Sequence, residues 1–345
     1  MFKPNFHYTD LLVRNLTYIA EAQAVVLNAP LVPKWEISLR RDAILRSAHA
    51  STAIEGNPLT LEEVSALAEG REIMVRRKDR LEVLNYLETL ANIPEFAKRR
   101  PFTRGDLLDT HRMITKGTLE NSKDEGRFRK QHVVVMNRVT GDIVFNPPAT
   151  TEVPVLVDEL LEWFNSEDAQ VIDPVIEAGM MHYEIARIHP FIDGNGRTAR
   201  VMASLTLYER GFDVKRFFTL DDYYDQDRRG YYEALDRVDQ SSLDLTDWLE
   251  YFSDGVATSV KAVREKVIGL SKDIKFLKDR GQIALTERQM KIVERMVEKG
   301  KISNREIREM FDISSQASHK EINKLVKLRV VKRKGKGRGI YYELK

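Results

Sequence analysis

The 345-residue chain contains no cysteine. Disulfides, thiolate nucleophiles, Cys-ligated zinc and iron–sulfur centres are thereby excluded. A cysteine-free chain also fits a reducing compartment. Missing too is any apolar run near the ~18 residues that a membrane helix needs. The N-terminal stretch MFKPNFHYTDLLVRNL lacks the basic-then-apolar order of a secretion signal. The expectation is a cytoplasmic protein with no membrane partner. Net charge is scarce: 55 Lys and Arg face 53 Asp and Glu, leaving +2. No whole-chain field therefore draws the molecule to nucleic acid or membrane. Long internal repeats and low-complexity segments are also absent, which argues against a solenoid or a biased linker.

What is present is ordinary globular material, 42% hydrophobic and 31% charged, over a length that suggests two or three domains. Apolar residues recur at three- and four-residue spacing over 42–54, 61–68, 80–91, 103–115, 153–165, 173–188, 196–210, 229–239 and 245–267. That periodicity predicts helices and a mainly α fold. Thr60-Leu-Glu-Glu is a capping-box pattern, and Thr103 and Asp173-Pro174 are further helix starts. One segment breaks the rhythm. Residues 132–145 are two β-branched runs around a polar turn containing Gly141, which predicts a hairpin, and Pro147-Pro148 ends it. The charge balance hides an asymmetry. Residues 301–345 hold 13 Lys and Arg against 5 Asp and Glu, a local +8, so the remainder sums to −6.

Chemistry concentrates in one stretch, His189-Pro-Phe-Ile-Asp193-Gly-Asn-Gly-Arg197-Thr-Ala-Arg200. A helix ends, a tight loop follows, and a second helix opens near Gly196. Gly194 and Gly196, with Asn195 between them, let the backbone approach a ligand and aim successive N–H groups at it. Those groups sit at a helix N-terminus, where the dipole favours anions. Arg197 and Arg200 are three apart and share a face of the new helix. Two cations beside an amide nest suit a polyphosphate. Asp193 is a hard oxygen ligand suited to the Mg²⁺ that accompanies nucleotide phosphates. His189 titrates near neutral pH and is a candidate general base. Taken singly, these are a turn, a solvated arginine pair and a structural histidine. Their compression into twelve residues favours a site. The pattern is neither a Walker A loop nor a dinucleotide fingerprint.

The stretch resembles the Fic family signature HPFx[DE]GNGRxxR and matches it at every defined position. Gly126-Arg127-Phe128-Arg129, the hairpin and Pro147-Pro148 resemble the family's flap region, and His111 sits where its members often carry a histidine. The similarity runs over about residues 40 to 260. It implies a Fic-type helical bundle with a β-hairpin flap. The expected division is a helical region at 1–100 carrying the inhibitory helix, a catalytic core at 101–262 and, from the charged stretch 264–280, a linker at 263–282. The activity it implies is transfer of AMP from ATP to a Ser, Thr or Tyr hydroxyl of a target protein. On that resemblance His189 deprotonates the hydroxyl and Asp193 holds Mg²⁺. Gly194, Asn195 and Gly196 form the anion hole, Arg197 binds the phosphates and Arg200 the γ-phosphate. Phe191 is structural. The 132–145 hairpin would pair with an extended target segment. Tyr231 and Tyr232 resemble a segment near the nucleoside and could stack on adenine or belong to the core, as could Trp248. His182 reads as structural, since the neighbourhood lacks ligands for a metal.

A second motif, Ser51-Thr-Ala-Ile-Glu55-Gly56-Asn57, resembles the family's inhibitory [ST]xxxE[GN] motif in its class II position, N-terminal to the core. There the glutamate pairs with the second signature arginine, here Arg200, and forces ATP into an unproductive pose. Residues 283–345 order as three helices and a basic, glycine-tipped hairpin, which resembles a winged helix-turn-helix. The recognition candidates are Ser315, Gln316, Ser318, His319 and Lys320, and the wing cations are Lys332, Arg333, Lys334, Lys336 and Arg338. Duplex DNA is one expected partner and protein the other. Three readings stay open: an autoinhibited adenylyltransferase, a DNA-binding regulator whose core senses a nucleotide, and an enzyme that removes AMP using Glu55. Dimers are common in the family, so a homodimer is a further expectation.

Overall fold

The structure is a computed structural model. It describes residues 2–29, 31, 33–136, 143–212, 214–278, 286–327, 330–335 and 337–344. Helices dominate, and the chain divides into two compact units, 1–24 with 42–262 and 25–41 with 263–345. In chain order the first elements are α1 (Asp10–Asn28), α2 (Pro33–Ile54), α3 (Leu61–Ala68), α4 (Arg77–Phe96) and α5 (Arg104–Thr115). The short strands β1 (Val135–Met136) and β2 (Ile143–Phe145) follow, then α6 (Val153–Phe164), α7 (Glu167–Val171), α8 (Pro174–Ile188) and α9 (Asn195–Glu209). Next come α10 (Asp221–Gln226), α11 (Arg228–Asp236), α12 (Thr246–Lys278), α13 (Glu287–Lys299), α14 (Asn304–Phe311) and α15 (Ser315–Lys327), and finally β3 (Val331–Lys334) and β4 (Tyr341–Leu344). Among the described residues no helix is long and apolar enough to cross a membrane.

The predicted start signals act as read. Thr60 and Glu63 close a capping box on α3, and Thr103 and Asp106 close another on α5. Asp173 accepts the Val175 N–H at 2.8 Å with Pro174 in the first helical position of α8. Twelve of the fifteen α8 residues are buried, so α8 is the central helix rather than an amphipathic one at the surface. Helix α12 crosses it closely at Gly179, where an added Cβ would lie 2.8 Å from Leu249 Cδ2. There the Trp248 indole donates to the Gly179 carbonyl at 2.8 Å, so Trp248 is core.

Besides the short helices α7 and α10, which were not predicted, two longer elements differ from the sequence reading. Helix α1 was not anticipated, although Leu12, Ile19, Ala22 and Val26 form its buried stripe. Its polar Asn15, which donates to Ser253 Oγ, interrupts that stripe. Residues 263–278, read as the start of a linker, are helix. The stripe Val256, Val260, Val263 and Val267 carries α12 through the charged stretch. The remaining linker residues 279–282 lie outside the described residues.

In the second unit α13, α14 and α15 enclose Ile292, Val293, Met296, Ile302, Ile307, Ile322 and Leu325 together with Val331 and Tyr342 of the hairpin. Capping boxes Thr286/Gln289 and Ser303/Glu306 start α13 and α14, and left-handed Gly300 and Asp312 end them. Strands β3 and β4 pair antiparallel, Val331 with Leu344 and Arg333 with Tyr342. Ile302 adds a third edge by exchanging hydrogen bonds of 2.9 and 2.8 Å with Tyr342.

Candidate active site

The loop between α8 and α9 is built from inside. His189 caps α8 in the left-handed conformation, φ 49°, an unusual and mildly strained backbone for a non-glycine residue. Arg129 holds it there. Its N–H donates to the Pro190 carbonyl at 2.9 Å and its Nε to the His189 carbonyl at 2.8 Å. The Asn195 side chain bridges both backbone groups of Phe191 at 2.9 Å, so its amide serves the loop. Phe191 is buried and stacks on His111 at 3.7 Å. The Gly126 N–H donates to His111 Nδ1 at 3.0 Å, so the proton lies on Nε2, which donates to the Asp193 carbonyl at 2.9 Å. Burial pushes the His111 imidazole down to about 4, and it stays a neutral strut. Gly194, at φ 82°, lies close against α5, since a Cβ there would lie 2.8 Å from Thr115 Cγ2 and 3.4 Å from His111 Nε2.

The same logic fixes the reactive nitrogen of His189. Its Nδ1 lies 3.1 Å from the Ala186 carbonyl, which can only accept, so Nδ1 carries the proton and Nε2 the lone pair. Burial lowers its pKa below 6.5, while the Ala186 carbonyl and Glu55 pull the other way. At neutral pH His189 is an unprotonated base.

Beside it the first-turn N–H groups of α9 have no intrahelical acceptor. Asp193 is half-exposed and takes bonds on one oxygen, Oδ1, from the Gly194 N–H at 2.5 Å and Arg197 Nη2 at 3.2 Å. Burial works against its ionisation, but Arg197, the Gly194 N–H and Lys78 hold the carboxyl below the usual range. Arg197 is buried, with Nη1 3.6 Å from Glu82 Oε1, and neither its Nε nor its Nη1 has a hydrogen-bond partner. Donors left unmatched in a buried cation mark a place for an anion.

Arg200 turns to other partners, although it lies on the same helix face. Its Nε donates to Ser51 Oγ at 2.7 Å, and its Nη2 to the Ser51 carbonyl at 2.9 Å and Glu55 Oε1 at 2.8 Å. Glu55 follows the last residue of α2, and Gly56 turns the chain at φ 91°. A Cβ added to Gly196 would collide with Glu55 Oε1, so the Glu55 carboxylate rests on the first turn of α9. Burial disfavours its charge, yet Arg200 and Arg197 outweigh burial and keep it ionised. Asp221, which the sequence reading missed, stands 3.4 Å from Arg200 Nε. Burial pushes the Asp221 carboxyl up and Arg200 counters it.

The remaining candidates lie around this centre. Strands β1 and β2 pair Val135 with Phe145 and Met136 with Ile143; the turn with Gly141 lies outside the described residues. Tyr231 is buried, stacked on Tyr224 at 4.4 Å and hydrogen-bonded to His182 at 2.9 Å. Its ring serves the core and is not open to a base. Tyr232, 40% exposed, is the accessible ring of that pair. His182 is packed among Tyr224, Tyr231, Trp248 and Phe252. Besides Asp221, the sequence reading missed Glu82, which meets Arg197 and accepts from Asn57 at 2.9 Å.

The loop thus sets an unprotonated base against an amide-and-arginine cradle on a central pair of helices. Residues 101–207 match the Fic/DOC family. The chain is 29% identical over 221 residues to Protein adenylyltransferase Fic of Nematostella vectensis, covering 61% of this chain and 48% of that one. It is also 29% identical over 176 residues to the protein of the same name from Drosophila willistoni, covering 50% and 34%. It therefore matches less than half the length of these relatives. The fold resembles that of a Fic family protein from Desulfovibrio desulfuricans G20, with a TM-score of 0.65 and 22% identity over 100% of this chain and 98% of that one.

Proposed function

We propose that this chain is a protein adenylyltransferase, moving AMP from ATP to a Ser, Thr or Tyr hydroxyl of a target protein, with Glu55 as a built-in inhibitor. The observation that carries the reading is the free lone pair on His189 Nε2 at one end of a loop whose other end is an anion cradle. Nε2 takes the proton of the target hydroxyl. The oxygen forms a bond to the α-phosphorus, the bond to the β-phosphate oxygen breaks, and pyrophosphate leaves. The chain contributes position and fixed positive charge, which phosphoryl-type transfer requires. Arg197 and the first-turn N–H groups face the phosphates, and Arg200 would hold the terminal one once Glu55 releases it. The β1–β2 hairpin would add a target strand and set its register. Tyr232 offers the ring for adenine.

Mg²⁺ fits Asp193. Among the described residues no three acidic or histidine side chains cluster into a metal cage, and Asp193 keeps its Oδ2 outside the two bonds above. A single carboxylate supplemented by phosphate oxygens is the usual setting for nucleotide-bound Mg²⁺, which neutralises phosphate charge. Incubating the purified protein and a cell lysate with α-labelled ATP tests the proposal. Label on protein is the expected result, and a chain that leaves every protein unlabelled with Glu55 replaced by Gly overturns it. A second reading draws on the ionised state of Glu55: a carboxylate there can activate water and release AMP from a modified protein. Loss of label from a pre-modified target, dependent on Glu55, would select it.

We further infer that residues 283–345 are a winged helix that docks on duplex DNA. Ser315, Gln316, His319 and Lys320 are exposed on α15, and Lys332, Arg333 and Lys334 on β3. Ser318 is a correction: it is buried, with its hydroxyl on the Asn304 carbonyl, and cannot read DNA. Lys336 and the Arg338 side chain lie outside the described residues. The intact chain should retard duplex DNA at low salt. Replacing Lys332, Arg333 and Lys334 with Ala should flatten the salt dependence, by about 0.9 in log–log slope for each phosphate no longer neutralised. No retardation at low salt would favour protein as the partner, and a slope unchanged by the triple replacement would take the phosphate contacts away from β3.

A further inference from the structure

We propose that Asp221 is a positioning residue for Arg200, a second counter-charge that the guanidinium takes up when Glu55 withdraws, keeping it aimed at the terminal phosphate of the nucleotide. The proposal rests on the reading of Glu55 and Arg200 given above. Arg200 is buried. A buried cation stripped of its carboxylate is strongly disfavoured and leaves its site or forfeits its geometry. Two carboxylates flank it, and they are mounted differently. Glu55 hangs beyond the end of α2, beside the glycine turn, and so can leave.

Asp221 is anchored. Its Oδ2 accepts from Ser47 Oγ at 2.5 Å, a side chain of α2, and from Thr219 Oγ1 at 3.2 Å. Its own N–H donates to Thr219 Oγ1 at 3.2 Å. The other oxygen, Oδ1, lies 3.4 Å from Arg200 Nε and has no hydrogen-bond partner, although the residue is buried. Buried polar atoms are seldom left so, and one facing a cation at that distance is a short shift from a bond. Space for the shift is present. A cavity of about 70 Å³ borders Arg200 and Asp221, walled also by Ser47, His182 and Thr219. While Glu55 is in place it accepts from Nη2 of the guanidinium and Ser51 Oγ accepts from Nε. Once Glu55 has left, Asp221 is the carboxylate that remains beside Arg200.

The test compares Glu55→Gly with Glu55→Gly/Asp221→Asn by isothermal titration with ATP and with ADP, each with Mg²⁺. Asparagine keeps the size and an acceptor for Ser47 and removes the charge. ATP binding should weaken about tenfold, the scale of one charge-assisted hydrogen bond, with ADP binding unchanged. A purely structural loss weakens both nucleotides alike and overturns the proposal. Glu55→Gly/Ser47→Ala removes only the anchor and should show the same selective loss, smaller in size. It carries the test if Asp221→Asn does not fold. Glu55→Gly/Arg200→Ala separates the two levels of the argument. If that variant keeps its preference for ATP over ADP, the reading of Arg200 fails. If it loses the preference while the Asp221 and Ser47 variants retain it, the role of Asp221 fails.

Discussion

Replacing His189 with Ala, in a chain already carrying Glu55→Gly, should lower AMP transfer by about 10²–10⁴-fold, the usual cost of a general base, and leave ATP affinity unchanged. The split follows from the geometry. In the proposed mechanism the α9 N–H groups, Asp193, Arg197 and Arg200 would contact the nucleotide, whereas His189, with Nδ1 on the Ala186 carbonyl, would act through Nε2 on the target hydroxyl alone. The pH profile gives an independent check. The base works unprotonated, and burial lowers its pKa from the ordinary 6.5. The acid limb of the transfer rate should therefore fall below pH 6.5, with a plateau above it. Steady-state rates over a pH series, with single-turnover label transfer in the alanine variant, make the measurement. Undiminished transfer by the alanine variant removes the proposed mechanism, as does an acid limb above pH 6.5.

The candidate loop could be picked out in the sequence because its parts are local. Base, carboxylate, glycines and arginines fall within twelve residues, and backbone conformation alone brings them together. His111 could be noticed by resemblance, but its task could not. It acts through Gly126 and Asp193, 15 and 82 residues away. Asp221 was invisible for the same reason. In Thr219-Leu-Asp221-Asp222 it reads as an acidic first turn of a helix, a common pattern, and only the fold sets it against Ser47, 174 residues earlier. Tyr231 and Tyr232 were open in the sequence between adenine platform and core, and packing on Tyr224 and His182 places the Tyr231 ring inside while Tyr232 is the more exposed. Periodicity located the helices of the body well. It missed α1, whose stripe a buried asparagine interrupts, and it read the charged end of α12 as a linker because the valines beneath the charges are sparse.

Replacing Glu55 with Gly should raise self-modification with labelled ATP well above wild type, on the order of 10²-fold, the scale on which small misplacements of reacting atoms are felt. Two effects act in one direction. The carboxylate rests on the first turn of α9, against the groups that would receive phosphate, and it holds Arg200 at 2.8 Å. An ionised group there repels the nucleotide and occupies its cation. Burial alone would protonate Glu55 and relieve this repulsion, but Arg200 and Arg197 keep it charged. Removing one partner of a buried pair costs about 3–5 kcal/mol when the other is left bare. Here Asp221 stays beside Arg200, so the loss in stability should fall short of that range. The variant should also shift its own pH profile. Glu55 is one of the groups raising the pKa of His189, so without it the acid limb moves further down. Adding Arg200→Ala should cancel the gain in label, because the freed arginine is what the nucleotide acquires. Label incorporated per protein at fixed ATP and Mg²⁺ reads the first effect, and rates below pH 6.5 read the second. Equal or lower incorporation in Glu55→Gly, with ATP affinity preserved, would assign Glu55 to AMP removal or to the end of α2 rather than to inhibition.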